Sequence, residues 1–99
     1  MLNINKIQEG SKLIIELEGK MDAVTAPSLG KVVESELSGV TELVFDLKNL
    51  EYTSSAGLRQ FLAAQQIMDN QGSMVIKNVK EAVMDIFDET YFSNIFKIE

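Results

Sequence analysis

The segment Tyr52-Thr53-Ser54-Ser55-Ala56-Gly57-Leu58 sets two adjacent serines before a small residue and a glycine. A serine hydroxyl attacks a substrate only when a neighbouring base takes its proton. The sequence contains no histidine and no cysteine, which removes the Ser-His-Asp triad, the thiol nucleophile and every imidazole or thiolate metal site. A hydrolase built on Ser55 therefore has nothing to activate it. The enzyme chemistry left open is a pair of carboxylates, Asp22 with Asp46, as an acid-base or cation site. Single Asp residues in strand-end loops ordinarily make turn hydrogen bonds instead. The expectation is a chain with no catalytic residue, no bound metal and no cofactor.

What the serines can do unaided is set by the element they open. Phe45-Asp46-Leu47 reads as the end of a strand, and Leu58–Asp69 as a helix with Leu58, Phe61, Leu62 and Met68 apolar. The serines thus fall at a helix N-terminus, where N–H groups lack partners and the helix dipole is positive. Ser54 or Ser55 can cap that helix. A phosphate carried there is stabilised, and Ala56 and Gly57 leave the hydroxyl accessible to a kinase. The two roles are compatible, since one serine can cap while the other is modified.

The rest of the chain supplies the frame. Leu2–Ile7 reads as an edge strand, Gly10-Ser11 as a turn, and Leu13–Leu17 as a second strand ended by Gly19. Thr25 is placed to cap a helix with Pro27 in its first turn, and Leu29, Val32, Val33 and Leu37 form its apolar stripe up to Gly39. Val40–Leu47 is a third strand, whose run Leu43-Val44-Phe45 suggests burial on both faces. Met74–Ile76 is a fourth, and Ile95–Ile98 a last one. Val79, Ala82, Val83, Ile86 and Phe87 give a third helix. Met21, Met68, Met74 and Met84 read as core filler. The order ββαβαβαβ predicts an α/β fold, residues 1–99 forming a single domain.

Composition limits the partners. The net charge of −6 disfavours a grip on nucleic acid phosphates or an anionic membrane surface. The N-terminus lacks the apolar core of a signal peptide, and no run approaches a membrane span. The expected location is the cytoplasm and the expected state a monomer.

Three segments carry a resemblance to a known family. Tyr52–Leu58 after the Leu43–Leu47 strand, Leu17–Ala26 upstream, and Ile86–Phe96 near the end resemble, in order, the motifs of the STAS family. That family comprises anti-sigma factor antagonists and sulfate-transporter domains. The resemblance implies a mixed four- to five-stranded sheet with three main helices mostly on one face. It also implies partner switching: the unmodified domain binds an anti-sigma factor that is also a serine kinase, and a serine phosphatase resets the modified form. By position, Ser55 matches the family's phosphoacceptor, with Ser54 a minor alternative. Many antagonists have Asp before and Ser after the acceptor, where this chain has Ser54 and Ala56, so a neighbouring carboxylate is missing. The implied partner surface takes in Asp22, Thr25, Ser54, Ala56 and Gly57. Arg59, one turn along the helix, is a further candidate contact or simply a solvated residue. Rival roles are a subunit of a lipid-transport complex and a signalling scaffold that is never phosphorylated.

Overall fold

Gly10 and Ser11 reverse the chain between β1 (Leu2–Glu9) and β2 (Lys12–Met21) in the computed structural model, which describes residues 2–99. Glu9 faces Lys12 across this two-residue turn, and Gly10 adopts φ +65°, a conformation that costs glycine no Cβ clash. There follow α1 (Ala26–Glu36), β3 (Glu42–Thr53), α2 (Ser55–Asp69), β4 (Ser73–Lys77) and α3 (Glu81–Glu89). The sheet order is β1-β2-β3-β4, with β1 antiparallel to β2 and the last three strands parallel. Parallel neighbours require crossovers, and α1 and α2 provide them.

Alternation along the strands directs Leu13, Ile15, Leu17, Leu43, Phe45 and Ile76 into one core with Leu29, Val33, Phe61, Ala64, Val83 and Phe87 from the helices. Phe61 of α2 lies edge-on to Phe45 (ring centroids 4.9 Å apart), Phe87 (6.0 Å) and Phe96 (6.2 Å), which ties β3, α2, α3 and the C-terminal segment together. The other sheet face carries no helix among the described residues. On it Ile7, Ile14, Val44 and Val75 stand in one register row, flanked by the row Asn5, Glu16, Asp46 and Lys77. Val44 is only 5% exposed because Ile14 and Val75 flank it, so the continuous apolar run does not signal a second covering layer.

Two strands outrun their expected ends. β2 continues past Gly19 and β3 past Leu47, because register shifts between Glu16 and Glu18 and between Gly19 and Lys20 absorb the mismatch. Gly19, at φ +101°, marks an irregularity at which pairing is adjusted rather than ended. The expected last strand is reduced to one parallel bridge between Ile76 and Ile98. Phe96 is drawn into the aromatic cluster after a 3-10 turn at Phe92–Asn94, so only Lys97 and Glu99 bond to Ile76. No helix among the described residues is long and apolar enough to cross a membrane.

Candidate functional site

The extra length of β2 and β3 builds the site. Met21 pairs with Thr53 at the strand ends, and the Ser54 N–H donates to the Met21 carbonyl at 2.8 Å. This brings the loop after β2 against the turn that opens α2. Thr53 is 1% exposed and its hydroxyl donates to the Ser54 carbonyl at 3.2 Å. Gly57 is buried in the first turn of α2, where a Cβ would stand 2.8 Å from Met21 Cε and 2.9 Å from its Cγ, and closer still to Thr53 Oγ1. Only a residue without a side chain lets the helix start this low over the two strand ends.

The serines divide the two roles. Ser54 has extended backbone (φ −91°, ψ 175°) and its Oγ accepts from the Gly57 N–H at 3.4 Å, so Ser54 is the cap. Ser55 is the first helical residue and is exposed; its hydroxyl enters no hydrogen bond among the described residues. Ala56 is half-buried, and Arg59 is exposed and forms no ion pair among the described residues.

Asp22 and Thr25 organise the neighbouring loop. One Asp22 carboxylate oxygen accepts from the Val24 N–H (2.9 Å), the Thr25 N–H (2.9 Å) and the Thr25 hydroxyl (3.1 Å). Chiefly because of the Thr25 N–H, and despite some opposing desolvation, the carboxyl group is held below its ordinary range. Thr25 does not cap α1 with its side chain as expected; its Oγ1 turns back to accept from the Asp22 N–H at 2.9 Å. The Ala26 N–H is met instead by the Asp22 carbonyl. This reciprocal knot leaves Val24 standing out at 85% exposure.

Asp46 does not join Asp22. It is in register with Glu16, six residues before Asp22, which separates the two by about 20 Å along the strands. Its carboxylate accepts from Asn78 Nδ2 and the Lys48 N–H, both at 3.1 Å, on the open sheet face. The carboxylate-pair reading ends there. Conversely, sequence reasoning passed over Val24 and Tyr52, apolar or aromatic residues 85% and 44% exposed beside the site. Their signal was available: neither fits the helical or strand period of its neighbours.

Comparison with known proteins accounts for nearly the whole chain. Residues 3–99 match the family model of the STAS domain. BtrV of Bordetella bronchiseptica, a candidate anti-sigma factor antagonist, is 33% identical over 99 residues, covering 98% of this chain and 84% of its own. The anti-sigma-B factor antagonist of Bacillus subtilis is 26% identical over 98 residues, covering 98% and 90%. The crystal structure of an anti-sigma factor antagonist from Mycobacterium paratuberculosis superposes with a TM-score of 0.89 at 19% identity, covering 99% of this chain and 85% of that one.

Proposed function

The chain belongs to the STAS domain family, and from that premise we propose that it is an anti-sigma factor antagonist whose switch is phosphorylation of Ser55. One observation carries the choice of residue: Ser54 is occupied as the helix cap, while Ser55 beside it is exposed and uncommitted. The unmodified domain binds an anti-sigma factor that is also a serine kinase, in the cytoplasm, and so frees the sigma factor. The contact surface centres on Ser54, Ser55, Ala56, Gly57 and Arg59, with Asp22 and Thr25 shaping the adjoining loop. The kinase then moves the terminal phosphoryl group of a nucleoside triphosphate to Ser55. The Oγ–P bond forms as the phosphoanhydride bond breaks, and the hydroxyl proton is lost. A serine phosphatase hydrolyses the ester and resets the domain.

The physical effect suffices for a switch. A phosphate adds about −1.5 to −2 charges at neutral pH, and burying it unpaired in an interface costs several kcal/mol. Each 1.4 kcal/mol is about tenfold in affinity. Ser55→Ala keeps binding and abolishes switching, whereas Ser55→Asp weakens binding, though less than the phosphate with its larger charge. The test incubates the protein with its anti-sigma kinase and ATP, maps the modified residue by mass spectrometry, and titrates both variants calorimetrically. Modification confined to Ser11, Ser28 or Ser93 sinks the assignment. So does Ser55→Asp binding as tightly as wild type while the phosphoprotein also binds.

A further inference from the structure

We propose that Arg59 is an internal latch for the phosphate on Ser55, binding it from one turn along α2; this rests on Ser55 being the phosphoacceptor. Arg59 is the sole arginine in a sequence whose other cations are all lysines. It stands four residues after Ser55 on the same helix, and both side chains are exposed. That spacing puts the two Cβ atoms about 6 Å apart on one helix face, with the anion toward the N-terminus, the favourable order. A guanidinium offers parallel N–H donors that match two phosphate oxygens, which an ammonium cannot do.

The surroundings leave Arg59 available for this pairing. α2 carries no acidic side chain before Asp69, and Arg59 enters no ion pair among the described residues. The neighbouring α1 carries only Lys31 as a charged side chain in its first two turns. Asp22, brought near the site by the Ser54–Met21 hydrogen bond, already has one carboxylate oxygen accepting from three donors within its own loop. In a protein of net charge −6, Arg59 is thus the one cation on α2, while the acids nearest in the fold, Asp22 and Glu51, belong to the loop after β2 and to the end of β3, where Lys20 pairs beside them. Phosphorylation therefore does two things to a docked partner: it adds an anion, and it withdraws the one arginine from intermolecular use.

The test installs phosphoserine biosynthetically at position 55, so its outcome does not depend on which serine a kinase selects. The second ionisation of the phosphate is followed by 31P NMR at low salt in otherwise wild-type protein and in the Arg59→Gln, Arg59→Lys and Lys31→Gln backgrounds. A bound cation favours the dianion, so Arg59→Gln raises this pKa by about 0.2–0.4 of a unit. Arg59→Lys gives an intermediate value, Lys31→Gln leaves it unchanged, and about 0.5 M salt shrinks the difference. Coincident titrations of the wild-type and Arg59→Gln phosphoproteins overturn the latch. Equal shifts in Arg59→Gln and Lys31→Gln overturn it too, since they report a diffuse field. Either result leaves Ser55 standing as the phosphoacceptor.

Discussion

Replacing Gly57 with alanine exchanges one hydrogen for a methyl group, and its carbon has nowhere to go. It would meet Met21 Cε at 2.8 Å and Cγ at 2.9 Å, with Thr53 Oγ1 nearer than either. Carbon atoms rest at about 3.5–4 Å, so the helix or both side chains must retreat by roughly 1 Å. Neither neighbour has room, since Met21 is 0% and Thr53 1% exposed. Overpacking of this kind costs about 1–3 kcal/mol, against which alanine regains up to about 1 kcal/mol of helix propensity. The net expectation is a loss of about 1–2 kcal/mol, or roughly 5–15 °C in Tm for a chain of this size. Urea denaturation measures it directly. Thr53→Ala removes the nearest atom but also the hydrogen bond to the Ser54 carbonyl, so alone it too destabilises. Together the two changes cost about 1 kcal/mol less than their sum, because the cavity of one receives the methyl of the other. A Gly57→Ala protein as stable as wild type, with additive effects in the double variant, refutes the reasoning.

Ser54→Ala lowers stability by about 0.5–1 kcal/mol through loss of the cap, at the low end because its bond is long at 3.4 Å, whereas Ser55→Ala changes it by less than about 0.5 kcal/mol; thermal melts rank the two. Asp22 has a native pKa below its ordinary 3.8, so its contribution is present above that value and is lost as pH falls through the lowered native one. A carboxyl-carbon NMR titration placing Asp22 at or above the ordinary value contradicts this, and Asp22→Asn flattens the acid limb of the stability curve. Gln71 Nε2 donates to the Leu37 carbonyl at 2.6 Å and the Val40 carbonyl at 2.7 Å, joining the end of α2 to the end of α1. Gln71→Ala leaves the Leu37 carbonyl with only the Val40 N–H at 3.1 Å and removes the Gln71 donor from the Val40 carbonyl, lowering stability by about 1 kcal/mol in urea titration.

The elements were legible where periodicity was strong and local. The stripe from Val79 to Phe87 and the alternation of Leu13, Ile15 and Leu17 each encode burial on one face, and α3 and β2 follow them. What escaped was what a neighbour decides. Gly19 has the look of a stop, yet the parallel partner β3 lets pairing resume to Met21. Ile95–Ile98 has the composition of a strand, yet Phe96 is claimed by Phe61 and Phe87. The site was half legible for the same reason. A serine pair before a glycine identifies a helix start, but which serine caps depends on a backbone angle. Thr25 likewise suits a cap by type, and turns back only because Asp22 offers a better-placed N–H.

The division between Ser54 and Ser55 bears on how such a switch can work without unfolding itself. A single serine serving as both cap and acceptor would couple every phosphorylation event to helix stability, since its hydroxyl oxygen would become an ester while still needed by a backbone N–H. Here the Gly57 N–H is met by Ser54, and Ser55, the proposed acceptor, stands one position further on, where its hydroxyl bonds to no other group among the described residues. The beginning of α2 is held instead by groups that a phosphate on Ser55 would not touch: the Ser54–Met21 backbone bond and the close seat of Gly57 over Thr53 and Met21. Charge at the surface can then change by nearly two units while the geometry beneath it stays fixed. In the proposed switch a partner would read that change as altered electrostatics on a rigid surface, and hydrolysis of the ester would return the domain to its starting state.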